Sequence, residues 1–267
     1  MSSNEEFIQK VLRSRKYRDL HLPAETIRDL IEQESQRFRD EKSMQESVRQ
    51  KLHQLTALYL GDPNYDKALE ELELMQDERE LQDFANRMLS AHTSTRERLP
   101  YLTDFYNALF QRIGTPQSIL DLACGLNPFA MPKMGLDQNI TYLAYDIHQP
   151  RVNLLNAFFR RAGFEAARAE QRDILVSPPT QKADTAFFFK EAHRMDQRRK
   201  GSNRILWDAL PVTTLLVSLP KRDIGKTHDL SERMRHLVQD ALQGRTWPVE
   251  EIIFEDEIVF CIRKGAG

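Results

Sequence analysis

Three aspartates stand where the sequence could hold a ligand. Asp121 opens the stretch Asp121-Leu122-Ala123-Cys124-Gly125-Leu126-Asn127-Pro128. Asp146 ends a short apolar run, and Asp173 precedes Ile174 after a weaker one. A carboxylate in such a place can accept hydrogen bonds from both hydroxyls of a ribose or from the amino edge of a purine. Gly125 lets its backbone take a positive φ or approach a ligand closely. The stretch lacks G-x-G-x-x-G, so the pyrophosphate of a dinucleotide has no cradle there. A nucleoside without phosphates suits it better, and S-adenosylmethionine, an adenosine joined to an amino acid through a sulfonium, is one. Taken singly, each aspartate reads as a helix N-cap or turn residue. Three at successive strand ends, with a glycine loop at the first, read as one crevice.

Other reactive groups are few. The two cysteines, Cys124 and Cys261, cannot by themselves form a disulfide framework or a thiolate zinc site, and no metal is expected. Cys124 lies inside the glycine loop, where a packing role fits better than a nucleophile. Ser177-Pro178-Pro179 lacks the Asn and the aromatic of an N-P-P-Y motif and reads as a loop.

These residues need strands to place them. After Gly114-Thr115-Pro116, the segments 118–123, 140–145, 185–189 and 213–219 are short apolar runs rich in branched and aromatic residues. Such runs suit strands buried on both faces of a parallel sheet. Helical spacing intervenes, clearest at Val152, Leu155, Phe158, Phe159 and Ala162. The alternation predicts a doubly wound α/β domain, whose ligands bind beyond the carboxyl ends of the strands. Two final runs, 251–255 and 258–262, are too close for a crossover helix and predict an antiparallel pair at the sheet edge. By analogy this is the arrangement of Rossmann-like class I methyltransferases.

Residues 4 to 113 read as helix throughout. Phe7, Ile8, Val11 and Leu12 recur at three-and-four spacing, as do Val48, Leu52, Leu55 and Tyr59, then Tyr65, Ala68, Leu69 and Leu72, then Leu81, Phe84, Ala85 and Met88. Pro23 fits the first turn of a second helix, Ser43 with Glu46 has capping-box spacing, and residues 61–64 form a turn. A bundle of about five helices follows, with the expected division at 1–113 and 114–267.

The 267 residues carry a net charge of -2, which excludes a uniformly basic coat protein. Positions 190–245 nevertheless hold twelve basic against seven acidic side chains, and the run 250–257 returns five negative charges. A local patch of this kind attracts phosphate where it lies, though a solvated helix face of mixed sign has the same composition. No apolar run approaches the roughly 20 residues that span a bilayer. The opening MSSNEEFIQK has acids where a signal peptide needs a basic flank, so a soluble, cytoplasmic protein is expected.

The segments DLACGLNPFA, YDIHQ and HTSTRERL (92–99) resemble those of the FmrO-like 16S ribosomal RNA methyltransferases of the aminoglycoside-resistance family, which methylate N7 of one guanine in the decoding site. That family shows H-x-S-T-x-E-R, then an acidic-x-A-C-G-L-N-P loop, then D-I-H-Q. Here these correspond to His92, Ser94, Thr95, Glu97 and Arg98, to Asp121–Pro128, and to Asp146–Gln149. The resemblance implies a helical rRNA-docking domain (1–113) before a methyltransferase domain (114–267). It implies S-adenosylmethionine held by Arg98, Ala123, Gly125, Asn127, Asp146, Ile147, Asp173, Ile174 and Lys190, with Arg98 on its carboxylate, Asp146 on its ribose and Asp173 on its adenine. Pro100 predicts that a regular helix restarts there, leaving 92–99 as a turn facing the site. The partner implied is 16S rRNA in the 30S subunit, met by a monomer with no metal and no membrane. Phosphates would meet Lys10, Arg13, Arg15, Lys16 and Arg18 on the first helix, with Lys190, Arg194, Arg198, Arg199, Lys200, Lys221, Arg222 and Lys226 around the site.

Guanine N7 carries an in-plane lone pair and no proton, so no catalytic general base is required. Two segments depart from the family. Lys190 is followed by Glu-Ala-His-Arg-Met-Asp-Gln-Arg-Arg-Lys rather than a leucine-rich stretch. The family's G-K-G-M after the fifth strand is absent, although Arg222 and Gly225 match. These loops border the target, so methylation of adenine N1 or of a small molecule stays open, as does a non-catalytic RNA-binding relative.

Overall fold

The computed structural model describes residues 3–57, 62–223, 225 and 227–265. Seven strands make one sheet: β1 (Ser118–Leu122), β2 (Thr141–Asp146), β3 (Ala167–Gln171), β4 (Ala183–Phe189), β5 (Val212–Pro220), β6 (Val249–Ile253) and β7 (Glu257–Arg263). Their order is β3-β2-β1-β4-β5-β7-β6, with β7 antiparallel to both of its neighbours and every other pairing parallel. The two-residue side-chain period explains why the central runs are apolar without a break. Ile119, Tyr142, Ala144, Phe187 and Leu216 enter one apolar cluster, while Leu120, Leu143, Tyr145, Ala186 and Phe188 enter another on the opposite face. β3 lies at the sheet edge, and its sequence ARAEQ is correspondingly less apolar. The closing hairpin forms as expected, shifted by up to two residues. Its outer strand β6 carries Glu250 and Glu251, charges that discourage edge-to-edge pairing.

Between residues 3 and 113 seven α-helices are described rather than about five: α1 (Ser3–Leu12), α2 (Ala24–Ser35), α3 (Glu41–Thr56), α4 (Tyr65–Leu74), α5 (Glu78–Ala91), α6 (Thr93–Arg96) and α7 (Leu102–Ile113). The apolar period overlooks α6, a single turn. Pro100 falls in a 3-10 turn spanning Leu99–Tyr101, so the regular helix restarts at Leu102. Pro23 occupies the N-cap of α2. The cap of α3 is Asp40, whose carboxylate accepts the Ser43 N–H at 2.8 Å; Ser43 is already inside the helix, which displaces the expected capping box. Tyr59 and Gly61 of the sequence patterns lie outside the described residues.

Apolar packing gives these helices two roles. α4, α5 and α7 share a cluster with one sheet face and with α8 (Gln149–Arg161). The other face is covered by α9 (Ala192–Arg198), α10 (Ser202–Ala209) and α11 (Ser231–Leu242). α1–α3 instead enclose a cluster of their own around Phe7, Ile27, Leu30, Val48 and Leu52, against which Ile147 packs from the end of β2. They therefore sit at the carboxyl edge of the sheet, where ligands of such folds bind.

Candidate functional site

The parallel register brings Leu122 level with Tyr145, and Asp146 level with Gln171 of β3. Beyond these ends lies a cleft of about 770 Å³ including its open mouth, lined by Asp121, Gly125, Asp146 and Asp173 among others. The loop after β1 turns into it through two left-handed residues, Ala123 (φ 48°) and Gly125 (φ 55°). Only the second carries the residue type that does this without strain. Cys124 N–H donates to the Tyr145 carbonyl at 2.9 Å, which ties the loop to β2. Burial pushes the Cys124 thiol well above its usual range, consistent with packing rather than nucleophilic attack.

Asp146 is the loop's second anchor. Oδ2 accepts Gly125 N–H at 3.1 Å and Arg151 Nη1 at 2.7 Å, and Oδ1 accepts His148 N–H at 2.9 Å. Burial pushes its carboxyl up, but Arg151 and the His148 N–H outweigh burial, and the carboxyl lies below its ordinary value. Three donors leave one of the roughly four acceptor positions of an ionised carboxylate open toward a ligand.

Asp121 behaves differently. It accepts Asn127 Nδ2 at 3.0 Å and the Tyr142 hydroxyl at 2.5 Å on one oxygen, and burial pushes its carboxyl up to about 7 from the ordinary 3.8. Between these values the folded chain holds a proton that the unfolded chain has released. The stability tied to this group is therefore complete below the unfolded value and is lost as pH rises toward 7. Asp121→Asn keeps an oxygen for both donors and cannot ionise. Urea unfolding should show its advantage over the wild type growing from about pH 4 to about pH 7 and reaching about 4 kcal/mol. Identical pH slopes for the two proteins would refute a raised Asp121.

Arg98, on the turn between α6 and α7, is buried rather than a surface cation. Its Nε and Nη2 each lie 2.6 Å from an oxygen of Glu257, Nη2 also donates to Ser218 Oγ at 2.9 Å, and the guanidinium is 4.7 Å from the centroids of both Phe105 and Phe189. Nη1 has only a long 3.4 Å contact with Asn127 Oδ1, so this nitrogen remains for the cleft that Arg98 lines. Glu257 was hidden from sequence reasoning inside the acidic run 250–257. The signal that finds it is topological: an antiparallel β7 must begin where the parallel strands end, so its first residue lands at the ligand edge.

Ala123, Asn127, Ile147 and Ile174 line the same cleft. Lys190 does not. It takes a left-handed φ of 58°, pairs with Glu97 at 2.5 Å and lines a wider neighbouring cleft, although its chain neighbours Phe189 and Glu191 line the first. The two clefts share His92 and Ser94, joined Nδ1 to Oγ at 2.8 Å. Burial lowers the His92 imidazole to about 4, so it is neutral near pH 7.

The basic residues scatter among several environments. Lys10, Arg13, Arg15, Lys16 and Arg18 are exposed, but only Lys10 belongs to α1; the others follow it. Arg194 and Lys200 line the wide cleft and pair with Glu191 and Asp196, both at 2.8 Å; Arg222 is exposed on the same cleft. Lys221 Nζ donates to the Phe254 carbonyl at 3.1 Å. Lys226 lies outside the described residues. Arg198 departs most from expectation. Its side chain is buried between Asp29 and Asp173 and cannot meet a phosphate, and Arg199 also pairs with Asp29. Sequence reasoning missed Arg233, which lines the wide cleft, because it reads as one more charge on an amphipathic helix.

Among the described residues no His, Cys, Asp and Glu cluster could hold a metal ion, and no helix is long and apolar enough to cross a membrane. The lining fits the nucleoside expected from sequence: an ionised carboxylate for a ribose, a spare guanidinium N–H for a carboxylate, and apolar Ile147, Ile174 and Met195 for a base.

Comparison with known proteins places this geometry. The family model described as ribosomal RNA methyltransferase (FmrO) matches residues 13–261. A 16S rRNA (guanine(1405)-N(7))-methyltransferase of Frankia casuarinae is 31% identical over 264 residues, 96% of this chain and 92% of that protein. One of Serratia marcescens, with the same description, is 30% identical, over 82% of this chain and 81% of its own. Among solved structures, the 16S rRNA methyltransferase RmtF in complex with S-adenosyl-L-homocysteine superposes with a TM-score of 0.80 at 27% identity, covering 99% of this chain and 100% of its own. With a family match across nearly its whole length, and with a loop, strand order and cleft of the corresponding kind, the chain belongs to the FmrO family of ribosomal RNA methyltransferases.

Proposed function

We propose that this enzyme methylates N7 of guanine 1405 of 16S rRNA, the position in the names of its relatives, and that it does so in the decoding A site of the assembled 30S subunit and so confers aminoglycoside resistance. One observation carries the reading: a narrow cleft with carboxylates at three successive strand ends opens, past His92 and Ser94, into a wide cleft bearing Lys190, Arg194, Lys200, Arg222 and Arg233. The first suits a nucleoside cofactor and the second a phosphate backbone.

S-adenosylmethionine, when bound, supplies an electrophilic methyl group. The remaining work belongs to the chain. Asp146 accepts from the ribose, and Arg98 Nη1 meets the amino-acid carboxylate. His92, neutral at the junction, adds no positive charge beside a sulfonium. Since N7 has no proton to lose, the residues act by holding the base and excluding water rather than by acid–base exchange. A paired guanine presents N7 in the deep, narrow RNA major groove, so the base must be exposed by local distortion, and the wide cleft has room for it. Residues 1–113 serve as the docking part, with the exposed cations 10–18 on phosphates. The enzyme acts as a cytoplasmic monomer.

The test is to incubate the protein with S-adenosylmethionine and intact 30S subunits, then map the product by mass spectrometry and primer extension. One methyl on guanine N7 in the A site is expected, with much weaker modification of an isolated hairpin of that site. A methylated adenine, or no product, defeats the assignment; equal modification of hairpin and subunit defeats the claim about the assembled subunit.

A further inference from the structure

Besides the spare Arg98 Nη1, the cleft wall holds a buried donor with no partner at all among the described residues. Arg198, the last residue of α9, lines the cleft, and only 8% of its side chain is exposed. Its Nη1 donates to Asp173 Oδ1 at 3.0 Å, while Nη2 lies 2.7 Å from Asp173 Oδ2 and 2.9 Å from Asp29 Oδ2. Its Nε–H is fully buried and finds no hydrogen-bond partner among the described residues. Buried donors are rarely left unpaired, and one in the wall of a ligand cleft points to an acceptor on the ligand.

Asp173 cannot take the role first expected of it. Besides the Arg198 fork it accepts the Thr26 hydroxyl at 2.8 Å and the Leu175 N–H at 3.1 Å. Four donors fill the roughly four acceptor positions of a carboxylate, so an exocyclic amino group finds no vacancy there. A ring nitrogen, which accepts, suits the Arg198 Nε–H instead. Ile174, Met195 and Leu55 line the same cleft and offer apolar contact to the faces of a base. We propose that Arg198 binds the base of S-adenosylmethionine by donating Nε–H to a ring nitrogen, and that Asp29, reaching across from α2, is the positioning residue that fixes the guanidinium. This rests on the methyltransferase reading and deepens it. It makes α2, whose apolar core is separate from the sheet's, the support behind one residue of the cofactor wall.

Calorimetry on the full chain tests the proposal, with S-adenosylhomocysteine and its 1-, 3- and 7-deaza analogues, each replacing one ring nitrogen by CH. One analogue is expected to bind wild-type protein about tenfold more weakly than S-adenosylhomocysteine, the value of one charge-assisted hydrogen bond. Arg198→Lys, which keeps the charge but has no Nε–H, should weaken S-adenosylhomocysteine by a similar factor and abolish its advantage over that analogue. Asp29→Asn should shrink the same advantage. If all three analogues match S-adenosylhomocysteine on the wild type, the proposal fails whether or not the variants fold. A preference that survives Arg198→Lys also overturns it, and one unchanged in Asp29→Asn overturns the positioning role. A wild type that binds none of the four ligands refutes the methyltransferase reading itself.

Discussion

Asp146→Ala is expected to abolish methylation of 30S subunits and to weaken S-adenosylhomocysteine binding by at least about tenfold, the one lost charge-assisted hydrogen bond accounting for that factor and the freed loop adding to it. The reason lies in how much converges on one carboxylate. It anchors Gly125 N–H at the turn of the cofactor loop, caps His148 N–H at the start of α8, and neutralises Arg151. Alanine removes the ribose acceptor and also frees the loop that places it. Arg151 keeps Asp62, 2.6 Å away, so the substitution does not strand a buried charge and the protein should still fold. Calorimetry and methyl transfer are the direct measurements. In a susceptible bacterium the wild-type gene should give kanamycin and gentamicin resistance that this variant lacks. Retained tight binding by a folded Asp146→Ala protein would show that the ribose is held elsewhere.

Much of this site was legible in the residues because its parts are local. The loop Asp121–Pro128 follows its strand directly, and the strand that ends in Asp146 announces itself by an apolar run buried on both faces, while the edge strand before Asp173 shows only weakly. What the sequence could not supply were the partners that saturate these groups. Glu257 is 159 residues from Arg98, and Thr26 is 147 from Asp173; no periodicity joins them. The same distance misled the reading of Arg198. As one cation in a basic run it resembled its exposed neighbour Lys200, but Asp173 and Asp29, the latter on a helix far upstream, turn it inward. Helical spacing gave the N-terminal half its class but not its allegiance. The periods of α3 and α5 look alike, yet one closes a core over the cleft and the other covers the sheet. Amphipathicity says that a face is covered and is silent about what covers it.

Glu257→Ala is expected to destabilise the protein by about 3–5 kcal/mol, the usual consequence of removing one partner from a buried ion pair. Both side chains are essentially unexposed, and the Arg98 charge would be left with Ser218, a long contact to Asn127 and the faces of two phenylalanines. Aromatic faces attract a cation but do not replace a bidentate carboxylate. Glu257→Gln should fall between, because one oxygen still accepts while the second position becomes a donor facing a donor. The informative control replaces both partners. With methionine at 98 and 257, the site becomes apolar among aromatic rings, and stability should return to within about 1 kcal/mol of wild type. Cofactor binding should not return, since the spare Nη1 is gone. Urea unfolding and calorimetry on the three variants separate the two outcomes. If Glu257→Ala changed stability by less than about 1 kcal/mol, Arg98 would have to find another counter-charge on leaving its place. A double variant that bound S-adenosylhomocysteine as tightly as wild type would show that the amino-acid carboxylate does not depend on this guanidinium.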